Sequence, residues 1–287
     1  MNMELWYTEN QTKNVNFSMK VKSHLYSAQS EFQKIDIIDT YEFGRVLVID
    51  NWTMVTEKDE FIYHEMITHV ALATNPEIKN VLVIGAGDGG TVRELTRYNN
   101  IENIDMVEID ELVVKASIEH LPFTSNKLSD PRVNLYFEDG IKFVKGKENL
   151  YDLIIVDSTD PIGPGEGLFT TEFYTDCYKA LTEKGILINQ CESPYYSHNS
   201  HEMKRSYKKL NNLFNICKAY QYHMPTYPSG HMIFCFASKV LDPIKDLNSK
   251  KWNALGLETK YYNTELHKGA FCLPNYVIEL LTSDNQD

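Results

Sequence analysis

No stretch of this chain approaches the ~20 consecutive apolar residues that a membrane helix needs. Its opening residues, Met1-Asn2-Met3-Glu4, have neither a basic flank nor an apolar signal region. Both absences lead us to expect a soluble, cytoplasmic protein. Cysteine is sparse. Cys177, Cys191, Cys217, Cys235 and Cys272 are odd in number, widely spaced and form no Cys-x-x-Cys. They are expected to be reduced, mostly buried thiols. Positive charge is in deficit, with 28 Lys+Arg against 40 Asp+Glu and a formal net charge of -12. That disfavours nucleic acid, whose phosphates require a basic patch. It favours cationic partners weakly, by raising their local concentration. Internal repeats and low-complexity segments are also missing. What is present is 43% hydrophobic and 12% aromatic residues over 287 positions, ample for one large domain or two smaller ones.

A metal site finds little support. His64-Glu65-Met66-Ile67-Thr68-His69 resembles a zinc motif but is one residue too long. Histidines five apart point roughly 140° from each other on a helix and cannot share one ion. His198 and His201 have a workable spacing but no third ligand nearby.

Residues 1–57 read as β-structure. Ile35 and Ile37 alternate with Lys34 and Asp36, and Phe43-Gly44-Arg45 looks like a turn into Val46-Leu47-Val48-Ile49. A sheet this small needs a partner to pack on, so an oligomerising domain is expected. Residues 59–74 read as an amphipathic helix, with Ile62, Met66, Val70 and Ala73 on one face and Asn75-Pro76 ending it. From Lys79 the pattern becomes alternating strands and helices. Strands are expected at Val81–Ile84, Ile104–Glu108, Val133–Phe137, Leu153–Asp157 and Gly185–Gln190. Helices are expected near 89–98, 110–120, 140–146, 171–183 and 200–212. Segments 214–222 and 232–238 read as an antiparallel hairpin. This predicts an α/β fold: a doubly wound, class I methyltransferase-like (Rossmann-like) sheet over 58–287, preceded by a small antiparallel β domain over 1–57.

Two loops stand out. Gly85-Ala86-Gly87-Asp88-Gly89-Gly90 follows the strand Val81–Ile84. Its glycines let backbone approach a ligand closely. Most such loops offer N–H groups to an anion, but Asp88 inside this one repels an anion and attracts an ammonium. A unit charge pair at ~4 Å and an effective dielectric of ~20 is worth about 4 kcal/mol before desolvation. Asp88 also reads as a cap for the following helix. The second loop is Asp157-Ser158-Thr159-Asp160-Pro161-Ile162-Gly163-Pro164-Gly165-Glu166-Gly167, after the apolar run Leu153–Val156. Asp157 and Asp160 at a strand end cost stability unless a cation joins them. In the common strand order, the first and fourth strands are neighbours where chain order reverses, so both loops face one crevice. Glu108 ends the expected second strand, 23 residues after Gly85, close to the offset at which an acid typically accepts from ribose hydroxyls. Asp139-Gly140 follows the third strand, where Asp139 reads as a helix cap.

Together these motifs resemble the polyamine aminopropyltransferase family, spermidine synthases included, from about Leu5 to about Leu280. The Asp157–Glu166 run is the specific part. The resemblance implies transfer of an aminopropyl group from decarboxylated S-adenosylmethionine to putrescine, with no metal or redox cofactor, in a homodimer or homotetramer. It implies that Gln33, Gly85, Gly87, Asp88, Glu108, Asp139, Gly140 and Pro164 hold the nucleoside donor. Asp88 would select the decarboxylated form, whose tail bears only an amine. His64, Asp88, Asp157, Ser158, Thr159, Asp160, Gln190 and Tyr227 would hold the polyamine. Asp157 would accept the proton, assisted by Asp160 and Tyr63. The loop from Ser158 to Gly167 would close over both substrates. Ala86 stands where the family more often has Gly, and its small methyl is expected to matter little. The competing readings are a methyltransferase using ordinary S-adenosylmethionine, a non-catalytic nucleoside or polyamine binder, and an aminopropyltransferase acting on cadaverine, agmatine or spermidine.

Overall fold

The computed structural model describes residues 4–158 and 163–283. Two sheets organise them. The first is antiparallel and runs in chain order: β1 (Leu5–Thr12), β2 (Val15–Gln29), β3 (Lys34–Thr40), β4 (Gly44–Ile49) and β5 (Trp52–Thr56). Asp50 and Asn51 join β4 to β5 with φ of 48° and 67°. Two consecutive left-handed residues make the tight turn whose twist suits a hairpin. The turn expected at Phe43-Gly44-Arg45 lies between β3 and β4, with Gly44 at φ 68°.

The second sheet has seven strands: β6 (Asn80–Gly85), β7 (Asn103–Val107), β8 (Val133–Tyr136), β9 (Tyr151–Asp157), β10 (Leu181–Gln190), β11 (Ile216–His223) and β12 (His231–Ser238). Its order is β11-β12-β10-β9-β6-β7-β8, parallel from β10 to β8, with β12 and β11 antiparallel at one edge. Burial of both faces explains the continuous apolar runs. In β9, Leu153 and Ile155 pack into one hydrophobic cluster while Ile154 and Val156 pack into the other. The helices between strands are α2 (Gly90–Thr96), α3 (Glu111–His120), α4 (Pro122–Ser125), α5 (Gly140–Val144), α6 (Thr171–Ala180) and α7 (Ser197–Leu213). Among the described residues, no helix is long and apolar enough to cross a membrane.

The structure departs most from the sequence reading in two places. The helix joining the sheets, α1 (Glu60–Thr74), is not amphipathic: every residue but Phe61 is buried. Its charged residues are buried because each has a partner from elsewhere in the chain. The second difference lies beyond residue 240, where no element was assigned. Three helices occur there: α8 (Ser249–Asn253), α9 (Thr264–Ala270) and α10 (Asn275–Thr282).

One carboxylate of α1 holds three consecutive backbone amides of this C-terminal region, beside the packing of Trp252 and Tyr262 against His69. Glu65 accepts backbone N–H bonds from Lys260 at 2.9 Å and from Tyr261 and Tyr262 at 2.8 Å. Glu65→Gln replaces one acceptor oxygen with an amide donor that faces those N–H groups. The expected outcome is a loss of about 2–3 kcal/mol in urea unfolding, with faster proteolysis near residue 260. An unchanged midpoint contradicts the assignment.

Candidate active site

In the β6–β9 pairing, Gly85 is the register partner of Asp157. The two sequence motifs therefore end side by side. A Cβ on Gly85, whose φ is 88°, would lie 2.0 Å from the Asp157 carbonyl oxygen. The next residue, Ala86, donates its N–H to that same oxygen at 2.9 Å. The loop glycines make room for the protein's own atoms. A Cβ on Gly87 would meet Val113 at 2.7 Å, and one on Gly90 would meet the His64 ring at 2.2 Å. Ala86 matters through its backbone rather than its size. It sits at φ 63°, a left-handed conformation that costs a non-glycine residue about 1 kcal/mol or more.

Asp88 is buried, and its side chain bonds the start of the following helix, as the capping alternative in the sequence expects. Its Oδ1 accepts the Gly90 N–H at 2.9 Å, at the start of α2, while the residue lines the crevice. The same oxygen is 3.3 Å from His64 Nε2. His64 Nδ1 is 2.5 Å from Glu60, and Arg93 clasps Glu60 with two bonds of 2.9 Å. Burial disfavours a charge on His64, but Asp88 and Glu60 outweigh it and hold the imidazole pKa up at about 10.

Asp157 ends β9 with both oxygens bonded. Tyr63 donates its hydroxyl to Oδ1 at 2.6 Å, and Thr91 donates to Oδ2 at 2.6 Å. Burial and the nearby Asp88 charge raise the Asp157 pKa; His64 and the two hydroxyls oppose the rise. Ser158 follows, its buried Oγ without a hydrogen-bond partner among the described residues. Thr159 and Asp160 lie outside the described residues, as does part of the expected flap. The rest of that loop is a 3-10 segment, Gly163–Phe169, which includes Pro164.

Glu108 directly follows β7 and lines the same crevice. Burial lifts its carboxyl to about 7, with the charges of Asp110 and Asp157 adding to the shift against the backbone N–H bonds it accepts. Gln33, between β2 and β3, donates to Asp110 at 3.1 Å, so the N-terminal sheet reaches this wall. Asp139 caps α5 by accepting the Ile141 N–H at 2.9 Å, and both Asp139 and Gly140 line the crevice. Gln190, at the end of β10, and Tyr227, whose hydroxyl donates to the Met54 carbonyl, line the same crevice. Every described residue singled out from the sequence other than Pro164, of which only the backbone is described, lines this crevice.

Four residues escaped sequence reasoning: Glu9, Thr91, Glu192 and Asn199. Glu9 is the one buried residue of β1, an acid at an inward strand position. Glu192 lies two residues past Gln190, at φ 70°, and accepts from Asn199 at 2.8 Å. Its shared parity with Gln190 was the available signal. Glu9, Glu192 and Asn199 line the crevice. Among the described lining residues are six acids, Glu9, Asp88, Glu108, Asp139, Asp157 and Glu192, and no lysine or arginine. The one histidine there, His64, has Glu60 and Asp88 against its two nitrogens. Such a crevice accommodates cations and rejects anionic tails. Among the described residues, no group of three or more His, Cys, Asp or Glu is placed to hold a metal ion.

Comparison with known proteins is consistent with this geometry. The family described as "Spermine/spermidine synthase domain" matches residues 60–248, and "Spermidine synthase tetramerisation domain" matches residues 5–57. The chain is 67% identical to the polyamine aminopropyltransferase of Alkaliphilus oremlandii (strain OhILAs), over 99% of this chain and 100% of that one. It is 64% identical to that of Clostridium botulinum (strain Eklund 17B / Type B), with the same coverage. Among solved structures, spermidine synthase in complex with the transition state analogue AdoDATO superposes with a TM-score of 0.94 at 43% identity, covering 96% of this chain and 94% of that one. Spermidine synthase from Thermotoga maritima gives 0.91 at 41% identity, with the same coverage.

The carboxylates on either side of His64 predict a doubly protonated ring across the neutral range. In nitrogen-15 NMR, the His64 ring nitrogens should keep imidazolium shifts from pH 6 to 8.5. A titration midpoint near 6.5 contradicts the ion-pair geometry.

Proposed function

The chain belongs to the spermine/spermidine synthase family, and from that premise we propose that it transfers the aminopropyl group of decarboxylated S-adenosylmethionine to putrescine. The products are spermidine and methylthioadenosine. The observation that carries this reading is the crevice with six acids and no lysine or arginine among its described lining residues. A diamine and an aminopropyl sulfonium are both cationic. Ordinary S-adenosylmethionine adds a carboxylate, for which this wall offers no free cation. That counts against methyl transfer.

In the proposed reaction, the neutral amine attacks the methylene next to sulfur in line with the leaving thioether. Positive charge moves from sulfur to nitrogen. Asp157, Asp160 and Tyr63 surround the attacking nitrogen, and the two carboxylates stabilise its developing charge. An alkylammonium resembles lysine, near 10.4, against about 3.9 for an ordinary Asp. The raised basicity of Asp157 narrows that gap. Glu108 receives the ribose hydroxyls. Gln33, Asp139, Gly140 and Pro164 bound the nucleoside, and the Gly85–Gly87 turn supports it. Asp88 holds the aminopropyl ammonium. His64, Ser158, Thr159, Gln190 and Tyr227 line the polyamine path, with Glu9 and Glu192 at its far end. Decarboxylated S-adenosylmethionine is a co-substrate, so no resident cofactor enters this scheme.

We assign residues 1–57 to an oligomerising domain and 58–287 to catalysis. The exposed Leu5, Trp6, Val15 and Leu25 of β1 and β2 support an assembly of two or four copies.

Two results are expected. Asp157→Asn should lower turnover by about 10²–10⁴-fold, while the methylthioadenosine dissociation constant stays within about threefold; equal loss of both contradicts the role. Ribose hydroxyls need the ionised form of Glu108. Methylthioadenosine affinity, measured by calorimetry, should therefore be level above pH 7 and weaken up to tenfold per unit below it. A flat profile from pH 5.5 to 8 removes Glu108 from the ribose site.

A further inference from the structure

Thr91 has no place in the scheme above, yet its hydroxyl is fully buried and reaches the proposed proton acceptor at 2.6 Å. Other helical threonines here behave differently. Thr74, Thr175 and Thr282 each donate to a carbonyl of their own helix four residues back, and Thr96 to one three back. Thr91 is the second residue of α2, where the carbonyl four residues back belongs to Gly87, outside the helix. Its hydroxyl crosses to β9 instead. The pinning of Gly85 and Ala86 against the Asp157 carbonyl sets the distance that makes this possible.

We propose that Thr91 is a positioning residue that fixes the Asp157 carboxylate and keeps it ionised in the working pH range. The inference rests on the reading of Asp157 as proton acceptor. A carboxylate has about four lone-pair sites on its two oxygens. With Tyr63 on one oxygen and Thr91 on the other, the group cannot rotate, and its remaining lone pairs are left to the amine. The two donors also stabilise the charged form. Without Thr91, only the Tyr63 hydroxyl and the His64 charge oppose the groups that disfavour ionisation.

The groups that bear on this charge, for and against it, come from several elements. Helix α1 supplies Tyr63 and the His64 cation, the glycine loop supplies Asp88, and the end of β7 supplies Glu108. Strand β11 contributes the neutral hydroxyl of Tyr222. Asp160, three residues on in the sequence, lies outside the described residues. Asp88 and Glu108 raise the cost of ionising Asp157, and His64 lowers it.

The test is the pH dependence of kcat/KM for putrescine in wild type, Thr91→Val and Thr91→Ser. The amine's own ionisation is common to all three and cancels in the ratio of variant to wild type. One hydrogen bond to a charged group corresponds to a pKa change of about one unit. The Thr91→Val ratio should therefore be level at alkaline pH and fall about tenfold further through the acidic limb. Thr91→Ser, which keeps the hydroxyl, should track wild type. A Thr91→Val ratio that is the same at every pH overturns the inference. So does a Thr91→Ser profile shifted like that of Thr91→Val, which remains decisive where Thr91→Val fails to fold. Asp157→Asn separates the two levels. If it is inactive while the Thr91→Val ratio is flat, only the role of Thr91 falls. If it retains turnover, the reading of Asp157 falls, and this inference with it.

Discussion

The contact between Gly85 and the Asp157 carbonyl is the constraint on which the crevice depends. Parallel pairing of β6 with β9 brings two strand ends level, and the absence of a side chain at Gly85 lets their backbones touch. Everything chemical is hung from that junction. Asp88 projects from the turn after β6, Thr91 from the first turn of α2, and Asp157 from the end of β9. Helix α1 then lies against them and delivers Tyr63 and His64. The glycines of the loop serve this packing first: Gly90 is bare because the His64 ring occupies the space its side chain would take.

Charge is the second organising term. A buried cluster of acids would be costly without compensation. Here compensation comes in alternation: Arg93 on Glu60, Glu60 on His64, and His64 on Asp88. The line of alternating signs ends at carboxylates that face the crevice. Among the described lining residues the one cationic side chain, His64, is paired with the protein's own acids. The remaining negative potential is left for cationic substrates.

Much of this was legible in the sequence, for stated reasons. Burial on both faces gives parallel strands unbroken apolar runs, so Val81–Ile84 and Leu153–Val156 announced themselves. The rule for where chain order reverses then made their loops neighbours. Partners distant in the chain were not legible. Helix α1 read as amphipathic because Glu60, His64, Glu65 and His69 look solvent-bound until Arg93, Asp88, the 260–262 amides and Glu94 are placed beside them. Thr91 looked like an ordinary helical residue. At Ala86 the sequence shows a small side chain, whereas the fold depends on its left-handed backbone angle. The C-terminal helices did leave a signal: Asn248 and Asn263 cap α8 and α9 with their side chains, a familiar start mark.

The central claim is that this acid-lined crevice takes an aminopropyl donor whose tail carries an amine and no carboxylate. The most direct measurement is methylthioadenosine formation by the purified protein with putrescine and either decarboxylated or ordinary S-adenosylmethionine. The account predicts methylthioadenosine and spermidine in equal amounts with the decarboxylated donor, and neither with the ordinary one. Comparable turnover of the ordinary donor, or a methylated amine as product, would contradict it.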